Sequence, residues 1–299
     1  MTYQILGKLD LAISKVGFGC MSLQKNYYAE NEKLLLRAFE KGINFFDTAD
    51  LYDNGENEIT LGRALKSIRE RVIVSTKVGN QMRPDGKSWD WNPTKNYILS
   101  EVNESLKRLQ TDYIDLYQLH GGTIGDPIDE TIEAFEILKQ QGKIRFYGIS
   151  SIRPNVIREY VKRSDIASVM MQYSLLDRRP EQTCFPLLQE NSIGVLVRGS
   201  LAKGILTGKS ADNYLDYNQL EINKAADRIR EFSTNDRTPA QIAIQFALHH
   251  PVVTSAVVGI RTEEQLDDAI GAVEKPMLTE EERSQIAQTV PVNYYTEHL

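Results

Sequence analysis

The chain has 299 residues, 41% hydrophobic and 25% charged, with a formal net charge of −6 and a pI near 5.4. That balance excludes a general binder of nucleic acid or of anionic membrane, because both demand an excess of Lys and Arg; no apolar run approaches the ~18 residues of a membrane helix. Two cysteines, Cys20 and Cys184, in neither metal nor redox spacing, and an N-terminus without a secretory apolar core point to a cytoplasmic protein.

Taken in order, the first residues from Tyr3 alternate as a small hairpin and lead into a buried-looking strand, Val16 to Cys20. A helical stripe at Leu34, Leu35, Ala38 and Phe39 is closed by Gly42. Next comes the apolar strand 43–49, a helix at 56–68 and the β-branched run 72–78. A Trp/Asn/Pro-rich loop over 80–93 precedes a helix at 94–110 and a strand at 113–120. The alternation then continues with helix 129–141, strand 146–150, helix 154–163, strand 169–173, helix 184–190 and strand 194–198. It ends with helix 239–250, strand 256–259, helix 263–273 and an amphipathic segment after Thr279.

Strands that are continuous apolar runs separated by helices are parallel and buried on both faces. Eight such units in a chain of this length predict one α/β domain over 1–299, a closed (β/α)8 TIM barrel with an N-terminal β-hairpin. The open dinucleotide-binding sheet is the weaker reading, since Gly17-Phe18-Gly19 lacks the third glycine and the acidic residue about twenty positions on. The polar stretch 207–237 is the longest insertion, and loops that long in a compact domain are functional lids or simply mobile.

Active sites of such barrels sit at the C-terminal face, on the strand ends. Those ends carry Cys20, Asp47, Lys77, His120, Ser150 with Ser151, Gln172, Arg198, and the segment from Gly259 to Arg261, with Tyr52 in the loop after the second strand. Each has an ordinary structural reading: Asp47 as a helix cap, Lys77 on the surface, Tyr52 in a turn, His120 as a satisfied core histidine. On neighbouring strand ends they form a proton-transfer group. A free phenol, with a pKa of about 10, is a weak acid near neutral pH. An ammonium at Lys77 would lower it, Asp47 would keep Lys77 charged, and a neutral His120 could orient a substrate oxygen. Such a group suits reduction of a carbonyl, with Tyr52 as proton donor.

Asp47, Tyr52, Lys77 and His120, with the segments Gly42 to Tyr52, Asp112 to His120 and Lys143 to Ser150, resemble the aldo-keto reductase superfamily over essentially the whole chain. The closest likeness is to bacterial general aldo-keto reductases, similar to the potassium-channel β-subunit branch. The resemblance implies NADPH/NADP as cofactor, bound across the barrel mouth without a Rossmann domain, and a small-molecule carbonyl substrate. It places Ser150, Ser151 and Gln172 at the nicotinamide carboxamide, with Ser151 where many members have Asn. Arg198 stands where an aromatic commonly stacks on the ring, and Ser200, Leu201, Lys203 and Gly204 fall in the pyrophosphate loop. Gly259, Arg261, Thr262 and Gln265 open a helix toward the 2′-phosphate, with Gln265 in place of a usual cation and Ala269 in place of a frequent adenine-binding Asn.

Other chemistry-bearing residues read as structural. Cys20 is expected to be a small buried thiol, and adjacent His249 and His250 cannot both face one metal from a helix, so they end it as a cap. His120 is the only histidine at a strand end, too few ligands for a metal-dependent barrel hydrolase, and no metal is expected. Trp89 and Trp91 either wall the substrate pocket or pack their loop. An alternative function is a nicotinamide-binding, redox-sensing regulatory module with incidental turnover. The sequence leaves the substrate, the direction of reaction, any protein partner and the oligomeric state open.

Overall fold

The computed structural model describes residues 1–299. The first half runs β1 (Tyr3–Ile5), β2 (Ala12–Ser14), β3 (Val16–Gly19), α1 (Tyr28–Glu40), β4 (Phe45–Asp47), α2 (Glu56–Leu65), β5 (Ile73–Val78), β6 (Asn80–Met82), β7 (Trp89–Trp91), α3 (Lys95–Leu109), β8 (Ile114–Leu119) and α4 (Ile128–Gln140). The second continues β9 (Ile144–Ser150), α5 (Pro154–Arg163), β10 (Ser168–Gln172), α6 (Pro180–Glu190), β11 (Gly194–Arg198), β12 (Asn213–Tyr214), β13 (Tyr217–Asn218), α7 (Gln219–Glu231), α8 (Pro239–Leu248), β14 (Val253–Gly259), α9 (Glu263–Glu274) and α10 (Glu280–Ala287).

Strands β3, β4, β5, β8, β9, β10, β11 and β14 pair in chain order, all parallel, and β14 returns to β3, so the barrel is closed. Strands such as Ile73–Val78 and Ile114–Leu119 are buried at every residue, because one face meets the interior and the other the helix ring. The core between strands and helices is one cluster of 69 residues. A second cluster of 9 includes Phe45, Leu116, Met170 and Leu196 from the strands together with Leu6 and Ile13 from the β1–β2 hairpin. The hairpin therefore plugs one end of the barrel. Gly7, with φ +56°, lets the hairpin backbone approach Ser192 and Gly194, where any Cβ would lie 2.7 Å from the Ser192 carbonyl oxygen.

Two stretches expected to be irregular are folded. Within 80–93, β6 and β7 form an antiparallel hairpin. It lays Trp91 over Gly79, whose φ of +122° and 2.7 Å clearance to the indole exclude a side chain. Trp91 Nε1 donates to both oxygens of Asp126 at 3.0 and 3.1 Å, so this residue packs the loop, whereas Trp89 stays exposed. The 207–237 stretch forms the β12–β13 hairpin and helix α7, with Ile222, Ala225, Ala226 and Ile229 buried at helical spacing. Asn218 and Glu221 make a capping box at its start. The buried face of this hairpin and helix joins the main core cluster. No helix is long and apolar enough to cross a membrane.

Candidate active site

The parallel register sets the candidate catalytic group. Asp47 ends β4 opposite Gly19 of β3 and Ser75 of β5, and Lys77 lies two residues farther along β5, opposite Gln118. Side chains two apart share a strand face, so Lys77 and Ser75 both turn inward. Lys77 Nζ donates to Asp47 Oδ2 at 2.6 Å, to the Thr48 carbonyl at 2.7 Å and to Tyr52 Oη at 3.4 Å. All three ammonium donors are used at a side chain only 1% exposed. Tyr52 reaches the group from a tight turn in which Asp53 and Asn54 both have positive φ. Its ring meets that of His120 edge-on, with centroids 5.8 Å apart. Thus the structure brings Asp47, Tyr52, Lys77 and His120 together at the barrel mouth. Sequence reasoning missed Gln118, whose Nε2 donates to Ser75 Oγ at 2.7 Å and to Asp47 Oδ1 at 3.4 Å, because an inward glutamine in an apolar strand carries no motif.

Burial dominates the proton affinities. Burial works against the Lys77 ammonium, yet Asp47 and Tyr52 outweigh it and hold its pKa above the ordinary lysine range. Burial pushes the Asp47 carboxyl up, against the pull of Lys77. Tyr52 differs from expectation: burial raises the phenol's pKa, and the opposing attraction of Lys77 does not reverse the shift. In this state Tyr52 holds its proton firmly. The His120 imidazole is pushed down to about 3 by burial, then by Lys77 and Arg198, so it is neutral near pH 7. Its Nδ1 is buried without a hydrogen-bond partner.

A pH dependence of stability follows. The unfolded chain protonates His120 near pH 6.5 and the folded chain only near 3. The unfolded state therefore binds more protons across that window, and stability falls as pH drops through it. From pH 6.5 to 5 this group alone should remove somewhat less than about 2 kcal/mol. Denaturant unfolding at both pH values should show that component in the wild type and its disappearance in His120→Gln; an equal loss in both proteins would contradict it.

The residues assigned to the cofactor line the same face. Ser150 pairs in register with Met170, and Gln172 with Arg198, so these groups end adjoining strands. Ser151 is buried and its hydroxyl accepts from the Arg153 N–H at 3.2 Å. Arg198 is exposed, and its Nη1 donates to Gln172 Oε1 at 2.9 Å. After β11, Ser200 is buried and Leu201 partly so, and the chain turns through Ala202, Lys203 and Gly204, all with positive φ. Left-handed backbone at non-glycine residues costs of order 1–3 kcal/mol each and marks ligand-binding turns. Gly259 ends β14, and Thr262 caps α9 by accepting from the Gln265 N–H at 3.2 Å. Gln265 Oε1 in turn accepts from the Arg261 N–H at 2.9 Å. The Gln265 side chain is thus committed to the cap, leaving the exposed Arg261 guanidinium as the cation there. Glu263 and Glu264 stand in the first turn beside it.

The remaining candidates are structural. Cys20 and Cys184 are buried and unpaired. His249 caps α8 and pairs with Glu280 at 2.6 Å, while His250 packs on the Phe185 ring.

The chain as a whole has close counterparts among known proteins. The aldo-keto reductase AKR11C1 from Bacillus halodurans, in its holo form, is 49% identical, with a TM-score of 0.94 over 100% of this chain and 99% of that one. The uncharacterized oxidoreductase YqkF of Bacillus subtilis (strain 168) is 49% identical over 98% of both chains. The NADH-specific methylglyoxal reductase of Escherichia coli (strain K12) is 36% identical over 70% of each. The aldo/keto reductase family model matches residues 15–290, nearly the full length of the barrel just described, and the chain belongs to that family.

Proposed function

We propose that this protein reduces aldehydes or ketones to alcohols with NADPH, and that Tyr52 supplies the proton. Interconversion of carbonyl and alcohol with NADP(H) is the family's activity; the direction, the proton donor and the cofactor contacts are the finer reading. The observation that carries it is Lys77 Nζ, seated between Asp47 Oδ2 at 2.6 Å and Tyr52 Oη at 3.4 Å on the barrel rim.

Each side chain has a separate task. Tyr52 gives its proton to the carbonyl oxygen as negative charge develops there, and the Lys77 ammonium stabilises the phenolate left behind. Asp47 keeps Lys77 protonated in a site that would otherwise favour the neutral amine. Neutral His120 orients the carbonyl oxygen through a ring N–H. The residues present fit a nicotinamide dinucleotide: polar ends at Ser150, Ser151 and Gln172, a positive-φ turn at 202–204 and the free guanidinium of Arg261. When bound, NADPH supplies the hydride. Purified protein should consume NADPH with a reactive small aldehyde such as a nitrobenzaldehyde; absence of turnover across a panel of carbonyls would overturn the reading.

Cofactor choice is tested at Arg261. A guanidinium on a phosphate makes charge-assisted bonds worth roughly 1.5–3 kcal/mol, so Arg261→Ala should weaken NADPH binding about 10- to 100-fold by that measure. NADH, without the 2′-phosphate, should lose little. Equal losses for both cofactors would remove Arg261 from the phosphate site.

A further inference from the structure

Gln172 is the one assigned nicotinamide contact whose side-chain amide is held at both ends by other protein groups. Its Nε2 donates to Asp177 Oδ2 at 2.8 Å and to Tyr214 Oη at 3.1 Å, and its Oε1 accepts from Arg198 Nη1 at 2.9 Å. Asp177 is fully buried. Arg179 grips it with two bonds, Nε to Oδ1 at 2.7 Å and Nη2 to Oδ2 at 2.8 Å. A guanidinium only donates, so both Asp177 oxygens are acceptors, and the Gln172 atom facing them has to be the NH2. Arg198, also donor-only, requires the opposite end to be the carbonyl. The two constraints agree, and turning the amide over would set N–H against N–H and oxygen against oxygen. Both N–H donors of Gln172 are then used, while one lone pair of Oε1 remains.

We propose that Asp177, backed by Arg179 and joined by Tyr214, is a positioning residue that locks the Gln172 amide so that it offers the cofactor a hydrogen-bond acceptor, suited to the NH2 of the nicotinamide carboxamide. The inference rests on the reading of Gln172 as a carboxamide contact. It also gives the 207–237 insertion a role, since Tyr214 belongs to the β12–β13 hairpin and is itself buried. The Arg179 guanidinium lies over the Tyr295 ring, 5.0 Å from its centroid, which ties the C-terminal tail into the same support.

The test is a reciprocal exchange read by binding, using quenching of intrinsic fluorescence by NADPH and by its 3-acetylpyridine analogue, which has a methyl group where the carboxamide has NH2. Gln172→Glu sets a carboxylate against Asp177 and should weaken NADPH at least tenfold. Adding Asp177→Asn restores a donor-acceptor pair with the polarity reversed, leaves the net charge unchanged and keeps an acceptor toward the cofactor, so the double variant should recover most of the loss. Asp177→Asn alone removes the buried one of the two constraints on the amide, leaving only the exposed Arg198 to orient it, and should reduce the preference for NADPH over the analogue several-fold. Tyr214→Phe, which removes only a hydroxyl and preserves packing, should reduce it about twofold and serves if the Asp177 variants do not fold. If Gln172→Glu binds NADPH as the wild type does, Gln172 is not a cofactor contact and the underlying reading fails. If it binds weakly and Asp177→Asn gives no recovery, or if no Asp177 or Tyr214 variant alters the preference, the positioning role is overturned.

Discussion

Tyr52→Phe should abolish carbonyl reduction while leaving NADPH binding within about twofold of the wild type. The substitution removes one oxygen and keeps the ring that packs edge-on against His120. General acid catalysis by a positioned side chain contributes about 10²- to 10⁴-fold. The loss should fall at the upper end, because no other side chain holds a proton against Lys77 in that position: His120 is neutral, with its imidazole pushed down to about 3 by burial and by the charges of Lys77 and Arg198. The effect should appear in kcat and in kcat/KM together, the pattern of an interaction realised only in the transition state. Turnover of a nitrobenzaldehyde near the wild-type rate would remove Tyr52 from the mechanism.

Lys77→Met should destroy both activity and stability, for separable reasons. The ammonium is 1% exposed and Asp47 only 5% at its side chain. Removing one partner strands the other charge in a poor dielectric, at a cost of about 3–5 kcal/mol. The loss should shrink as pH falls, since a carboxyl without its cation has its pKa raised further by burial and becomes neutral sooner. Replacing both partners, Lys77→Met with Asp47→Leu, leaves no unpaired charge and should return most of the stability. Activity should stay absent in the double variant, because nothing then stabilises the phenolate of Tyr52. Denaturant unfolding beside a reduction assay separates the outcomes; a double variant as unstable as Lys77→Met would show that the pair matters for shape and not for charge.

Recognition of the barrel needed only local pattern. Parallel strands buried on both faces are predominantly apolar, and runs such as Val169–Met171 and Gly194–Val197 display that directly. The hairpin β6–β7 and helix α7 were harder to see, although α7 announces itself by Asn218 and Glu221 ahead of the stripe Ile222, Ala225, Ala226 and Ile229. A long polar stretch reads as loop when surface positions outnumber the buried ones. Strand ends marked Asp47, Lys77 and His120, and the turn after β4 marked Tyr52, because in this architecture chain order is also order around the rim.

By itself, then, the sequence determined the closed barrel and picked out the candidate group Asp47, Tyr52, Lys77 and His120, since both depend on residue type at strand positions. Only the tertiary structure decided how those groups are tuned. The desolvation that keeps the Tyr52 phenol high and His120 neutral depends on everything packed around them, and no single stretch of chain encodes it. The same holds for Gln118 beneath Asp47 and for Asp177, Arg179 and Tyr214 behind Gln172. Tyr214 lies 42 positions from Gln172 along the chain, and a hydrogen bond between such distant residues exists only once the barrel has brought them within 3.1 Å of each other.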